Sequence, residues 1–332
     1  MPVRDLHRPL TYFVAAMAAV GVVSAVGLVV DDRVLLGMPI WEKPLKFALS
    51  LGAYAATLAW MLSLLDRGRR ISWWAGTVIA AASSVEVALI IVQAARGKRS
   101  HFNDETVLDA GLYAVMGVTV AVLWLAGVVV AVLMFRQPLP DRATAWAIRL
   151  GSGIGVVGLA LGFLMSQPTP EQLSGEVVGT VGAHSVGVPD GGPHLPLTGW
   201  AATGGDLRIA HFTGMHALQV LPLLALALAA AARRHPEARL ADPAVRTRLV
   251  IVTSAGYLGL VALVTWQALR GQPLIAPDAP TLIAAGVLAL AWLTGTLLAL
   301  RRSPRQGQGP QATAEDATRH GEEAARVHDR VA

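Results

Sequence analysis

The sequence predicts an all-α fold, a polytopic transmembrane helical bundle of about eight spans with one Gly/Pro-rich outer loop. Three observations lead there. Hydrophobic residues fill 54% of 332 positions and charged residues only 15%, against about 25% charge in a soluble domain. Mean hydropathy is +0.53. Eight windows are apolar and long enough to cross a hydrocarbon core, which takes about 20 helical residues. They cover 10–30, 45–65, 71–95, 107–135, 143–165, 211–232, 248–269 and 279–300.

The first window is too long for a signal-peptide core, lacks a small-x-small cleavage site and is soon followed by another span, so it reads as a retained helix. Before the second window, IWEKPLKF (Ile40 to Phe47) is an amphipathic lead-in whose Lys43 and Lys46 can snorkel, which makes it a weak contributor to the site. The third window carries Glu86 about 10 residues from its outer end, which at 1.5 Å per residue is about 15 Å deep. Gln93 lies on nearly the same helical face. An intramembrane acid faces the bundle and is a functional candidate.

Between the third and fourth windows runs RGKRSHFNDETVLD, Arg96 to Asp109. Asn103 or Asp104 can cap the next helix, and Glu105 and Asp109 suit its positive end. Asp109 and Tyr113 then stack at i and i+4. The fifth window contains Gly153-Ile-Gly155-Val-Val-Gly158. No strand precedes it, so with Gly151 and Gly162 it reads as close helix packing rather than dinucleotide binding. Arg149 snorkels from that window's inner end. Trp73, Trp74, Trp124, Trp146 and Trp266 suit an interfacial aromatic belt.

Loop 166–207 has nine Gly, five Pro and no Lys or Arg. That composition argues against a helix or a central strand. Long structureless loops are functional or disordered. Pro168-Thr169-Pro170, the Asp190-Gly191-Gly192-Pro193 turn and Trp200 predict an ordered lid over a cavity between the helices. The sixth window opens with GGDLRIAHFTGMHALQVLP, Gly204 to Pro222, which brings Asp206, Arg208, His211, His216 and Gln219 to the membrane. Residues 1–300 form the helical domain, and the polar tail 301–332 is expected to be disordered and cytoplasmic.

The alternate connections on one side hold 15 basic residues, including Arg4, Arg302 and Arg305, and those on the other hold 8. The arginine-rich side is therefore predicted to be cytoplasmic, with both termini inside a cell membrane. The net charge of +5 reflects these loops and not a nucleic-acid surface. With no cysteine, disulfides, thiolate metal sites, iron–sulfur clusters and c-type haem are excluded.

Nearly all residues capable of chemistry gather on the outer side. Glu86, Asp109 and His101 are the candidate catalytic groups. Gln93, Arg99, Arg208 and Gln219 are candidate substrate contacts, with Arg96 and Lys98 adding positive charge. His211, His216, His101 and His184 are candidate metal ligands, joined by His194, Glu86 or Asp109. His211 and His216 differ by about 140° around a helix, so they converge only if the helix starts at or after His211. Nitrogen and carboxylate donors suit zinc or iron, and haem b is the further cofactor that histidine ligation allows.

The motifs WxKPxKF (Trp41–Phe47), QAxRGxxSHFN (Gln93–Asn103), PTPxQ (Pro168–Gln172), GAHxVGxxDGGP (Gly182–Pro193) and GDLRxxHFxGxHALQxLP (Gly205–Pro222) together resemble an uncharacterised family of bacterial polytopic membrane proteins. The resemblance covers about residues 40–222 and implies no activity. Ser100-His101, Asp109, His211 and His216 are also loosely similar to membrane zinc amidases of the alkaline ceramidase type, which use a Ser, an Asp and three His. There two His are spaced HxxxH; here the spacing is HxxxxH.

Two functions follow as expectations. One is a metal- or haem-dependent enzyme acting on a lipid or small apolar substrate near the outer leaflet, with Glu86 or Asp109 as base. The other is a proton-coupled transporter or membrane sensor of an anionic solute, with Glu86 as the coupling carboxylate. Ser166 and Ser185 have no base arrangement in the sequence, so a serine hydrolase is not expected, and no internal repeat marks an inverted-repeat transporter.

Overall fold

The computed structural model describes residues 6–301. Residues 302–332, most of the expected tail, lie outside the described residues, as does Arg4. Among the described residues eight helices are long and apolar enough to cross a membrane. They are α1 Arg8–Val30, α2 Glu42–Ser63, α3 Arg69–Ala95, α4 Val107–Arg136, α5 Arg142–Leu161, α7 Leu207–Arg234, α8 Pro243–Leu269 and α9 Ala279–Ala299. The remaining α6, Pro170–Leu173, is one turn within the long loop.

Helix starts follow local chemistry. Thr106, Asp141, Asp242 and Asp278 each accept a backbone N–H from the first turn they cap, which contributes about 1 kcal/mol per cap. Two starts differ from the sequence windows with consequence. Asp206 caps α7 by accepting from the N–H of Arg208 at 3.0 Å, so α7 begins four residues before His211. α2 begins at Glu42, which places Lys43 in its first turn.

The glycines of α5 work as the sequence predicts. A Cβ on Gly151 would lie 2.9 Å from the Ala217 carbonyl, and one on Gly155 would lie 3.5 Å from the Leu218 side chain. Gly158 lies backbone to backbone against Gly214. Gly153 faces Phe135 instead. Removing side chains here lets α5 and α7 approach closely, the small-residue device of membrane helix pairs.

The apolar core between α1, α2, α3 and α4 is built on Leu10, Met17, Leu58, Met61, Ile79 and Met134. A second cluster ties α5 to α7 and α8 through Ile154, Leu221 and Val250. α9 packs on α8 and turns most of its surface outward. Trp124 departs from the expected belt. Its Nε1 donates to the Val156 carbonyl at 3.1 Å, and its ring packs on Phe163.

Connections 31–41, 96–106, 162–206 and 270–278 meet on one face, called here the loop face. Arg33 donates to the Ala95 carbonyl, Asp104 N–H donates to the Gly179 carbonyl, and a Cβ on Gly187 would lie 3.6 Å from Gly271. The long loop has more regular structure than its composition predicts. Besides α6 it contributes β3 (Ser185–Val186), paired antiparallel with β4 (Gly205–Asp206). The hairpin β1–β2 (Val34–Leu35, Met38–Pro39) lies in the first connection. Glycine at positive φ, as at Gly182, Gly187 and Gly191, supplies the reversals between these short pieces. On the opposite face Arg149 donates to the Gln137 carbonyl, and Gln137 donates to Asp66.

Candidate acid–base site on the loop face

Segment 96–106 does not run straight from α3 to α4. It folds back over the end of α3, held by Lys98 N–H to the Gln93 carbonyl, Gln93 Nε2 to the Arg99 carbonyl at 3.2 Å and Asn103 Nδ2 to the same carbonyl at 3.0 Å. Phe102 takes a positive φ of 59° within it, a strained conformation for a bulky residue. The fold-back drives His101 toward the helices, so that its ring lies near Phe47 and Phe102.

There His101 joins two helices. Its Nδ1 is 3.1 Å from Nζ of Lys43 on α2, and its Nε2 is 3.3 Å from Oε1 of Glu86 on α3. An ammonium can only donate, so Nδ1 accepts and the ring proton resides on Nε2, on the Glu86 side. The Nε2–Glu86 approach has ion-pair distance without hydrogen-bond alignment. The other carboxylate oxygen of Glu86 accepts from Thr119 of α4 at 3.4 Å. Glu86 is 4% exposed, whereas Lys43 and His101 are half-buried. Ser100 Oγ, also buried, lies 3.1 Å from the same Nδ1. One lone pair therefore faces two donors.

His184 and Asp190 lie in the loop above. Asp190 accepts from His184 Nδ1 at 2.8 Å and from the backbone N–H of His184 and Ser185. Burial pushes the Asp190 carboxyl up, but these donors outweigh it and hold it well below the usual range. Burial lowers His184 despite its bond to Asp190. Burial lowers His101 well below 6.5, and the positive charge of Lys43 and the neighbouring His184 and His211 add to it. Both imidazoles are therefore neutral near pH 7.

The structure reassigns several expected site residues. Asp109 is completely buried, and its Oδ1 accepts from Gln93 at 3.0 Å and Arg96 at 2.6 Å. Its Oδ2 accepts from Thr106 at 2.7 Å. With both oxygens engaged, it clamps the end of α3 to the start of α4 instead of standing ready as a base. Gln93 belongs to the same clamp, donating to Asp109 and to the Arg99 carbonyl. Arg99 donates to Thr180, Gly179 and Glu105, tying the long loop down.

Arg208 forks onto Asp206 and reaches the Gly199 carbonyl. Of the eight basic residues on this face, seven have a carboxylate partner: Arg33–Asp31, Lys46–Glu42, Arg96–Asp109, Lys98–Glu105, Arg99–Glu105, Arg208–Asp206 and Arg270–Asp278. Among the described residues Lys43 forms no direct ion pair; it meets the imidazole of His101 and the Phe47 ring, 5.9 Å away, with Glu86 and Asp190 acting on it at longer range.

The expected metal set does not assemble. Because α7 starts at Leu207, His211 and His216 are both helical and point apart. His211 Nδ1 donates to the Gly158 carbonyl at 2.9 Å, while His216 lies 3.3 Å from Gln219 Oε1. His194 sits by Gly37 and the Gly192 carbonyl. Among the described residues no three His, Asp or Glu side chains are grouped to hold a metal ion. Gln219 stays with His216, away from the Glu86 cluster. Two small voids among the described residues lie away from that cluster. One lies beside Tyr54, Gly127 and Gly155, the other beside Asp206 and Gln267.

Lys43 and Ser100 are the members that sequence reasoning underweighted. Lys43 read as a snorkelling side chain, and Ser100 entered only through a family likeness. The available signal was a charged residue at the very start of a span, and a loop carrying Ser-His. Fold and site together define a multi-pass all-α membrane protein with a buried carboxylate–imidazole–ammonium link beneath an ordered loop. No family model, curated protein or solved structure matches the chain.

Proposed function

We propose that this protein is a cell-membrane enzyme performing acid–base chemistry on a lipid or other apolar substrate that arrives from the outer leaflet. One observation carries the reading: the His101 imidazole lies between the Lys43 ammonium and the Glu86 carboxylate. A neutral imidazole with an open acceptor and a carboxylate behind its N–H can take a proton and return it. A half-buried cation beside it can stabilise negative charge that develops on the substrate, more strongly where water is excluded. Phe47, Phe102 and Tyr113 give the site an aromatic wall suited to an apolar group. The 15 to 8 distribution of basic residues favours the loop face as the outer one. This version needs no zinc, iron or haem, for which the histidines offer no common centre.

The test is lipid mass spectrometry on membranes containing the wild-type chain, Glu86→Gln or His101→Gln. One lipid class should be depleted by the wild type and restored in both variants. Identical lipid profiles for wild type and empty membranes would overturn the reading.

A second reading, proton-coupled transport, is favoured by the depth of Glu86 and its single link to the surface through His101. Pairing of seven cations leaves little free charge to gather an anion. Proton flux into liposomes, abolished by Glu86→Gln with lipids unchanged, would select it.

A further inference from the structure

We propose that Ser100 is the nucleophile of this site and that its substrate is an acyl ester or amide of a membrane lipid. The inference rests on the acid–base reading above and adds to it the reacting atom and the bond attacked. Ser100 Oγ lies 3.1 Å from His101 Nδ1, and His101 Nε2 lies 3.3 Å from Glu86. A hydroxyl, an imidazole and a carboxylate in that order are the parts of an activated serine, recognised by role rather than by sequence position. Here the hydroxyl faces Nδ1 and the acid faces Nε2.

Lys43 explains why the serine is quiet without substrate. Its ammonium also lies 3.1 Å from Nδ1 and competes with Ser100 for the one lone pair. A carbonyl oxygen entering the site offers the ammonium a better partner, particularly as it becomes an oxyanion. Nδ1 is then free for the hydroxyl. The Ser100 proton passes to Nδ1 as Oγ bonds to the acyl carbon. The ring, now charged, is stabilised by the Glu86 carboxylate at Nε2. It returns the Nδ1 proton to the leaving alcohol or amine as the acyl C–O or C–N bond breaks. Water, activated by the same nitrogen, then releases the acyl group as a carboxylic acid and restores Ser100.

The fold supports this placement. Ser100 and His101 occupy the fold-back segment held by Gln93 and Asn103, and strain at Phe102 directly follows. Asp109 and its clamp fix that segment from below. The hydroxyl is thus held by a rigid scaffold; Ser100 itself is buried, so the substrate would have to reach it past half-buried His101.

The experiment treats the full chain, in lipid nanodiscs, with a long-chain alkyl fluorophosphonate, followed by peptide mass spectrometry. One adduct on Ser100 is expected in the wild type and none in Ser100→Ala. Labelling should be at least tenfold slower in His101→Gln and Glu86→Gln, with melting temperatures recorded for each variant. Absence of an adduct at Ser100 in the folded wild type overturns the proposal without reliance on any variant. Undiminished labelling in a folded His101→Gln protein also overturns it. Loss of lipid conversion in Glu86→Gln with full conversion in Ser100→Ala would reject Ser100 and leave the acid–base reading standing. No lipid conversion by the wild type would remove that reading itself.

Discussion

His101 Nε2 stands 3.3 Å from Glu86 Oε1, although one residue belongs to a loop and the other lies about two and a half turns inside a membrane helix. The fold-back of 96–106 makes that meeting possible. Its consequence is a carboxylate within the bundle connected through one imidazole to a cation at the edge.

Lys43 is the test of the electrostatic link. Its charge disfavours a second proton on His101. In Lys43→Met the His101 titration midpoint should rise, read from its ring resonances by NMR. A midpoint that stays put or falls would show that the ammonium does not govern the imidazole.

The pH dependence follows from the two loop histidines. His101 and His184 are both lowered below their ordinary 6.5, so the unfolded chain binds more protons than the folded one just below that value. Their contribution is fully present above about pH 6.5 and is lost as pH falls through the folded values. The groups facing them are Lys43, Glu86, His184 and His211 for His101, and Asp190, Arg208 and Lys43 for His184. Thermal stability should therefore decline between pH 7 and pH 5. A double variant, His101→Asn with His184→Asn, should flatten that slope, and an unchanged slope in the double variant contradicts the assignment.

The end of the long loop is held by Asp206 and Arg208. Asp206 accepts from the Ala201 N–H at 2.8 Å, and Arg208 donates to the Gly199 carbonyl. Arg208→Gln should loosen residues 195–201 while α7 stays in place. Trypsin has no site in this loop, so chymotrypsin is the appropriate probe, cutting near Trp200 and Leu197. Faster cleavage there with an unaltered helical circular dichroism signal is expected. Equal cleavage rates would mean that other contacts hold the loop.

How far the sequence could be read depended on the range of the forces involved. Eight spans were legible because hydropathy is local and each window declares itself. The glycine pattern of α5 was legible for the same reason, since small residues at helical spacing mean close approach. The pairing of Arg96 with Asp109 and of Lys98 and Arg99 with Glu105 was not singled out by the sequence, where loop acids, a lipid headgroup and an anionic substrate were equal candidates for these cations. The role of Asp109 was not legible. A capping acid and a catalytic acid look alike until the donors around them are known. The proposed His211–His216 ligand pair failed on one detail, the Asp206 cap that starts α7 four residues early. Lys43 and His101 are 58 residues apart, and only the fold-back turn brings them together.

Packing of α5 on α7 offers a stability test away from the site. A Cβ at Gly158 would collide with the Gly214 backbone, which cannot give way as a side chain can. Gly158→Ala should cost about 3 kcal/mol, at the upper end for overpacking, and also disturb the His211 bond to the Gly158 carbonyl. Gly111→Ala on α4 is the control, because no atom lies within 4 Å of its added Cβ. It should be neutral or slightly stabilising. Unfolding in mixed micelles compares the two, and equal effects would contradict the close approach.

The proposed side of the membrane can be tested independently of any activity. Connections around residues 68, 138 and 240 lie on one face of the bundle, and the long loop containing Asp190 lies on the other. The first set carries the arginine excess, including Arg67, Arg69, Arg136, Arg142, Arg239 and Arg246, and positive loops are retained in the cytoplasm. Most of the loop-face cations are neutralised by neighbouring acids, which weakens their pull in the opposite direction. Reporter fusions at residues 68, 138 and 240 should therefore be active in the cytoplasm, and one at residue 190 active outside. If all four report the reverse, the bundle stands but Ser100, His101 and Lys43 face the cytoplasmic leaflet, and the lipid substrate must be sought there. If 68 and 138 disagree, one of the two helices between them, α3 or α4, does not cross, and the parity that gathers the site on one face is lost.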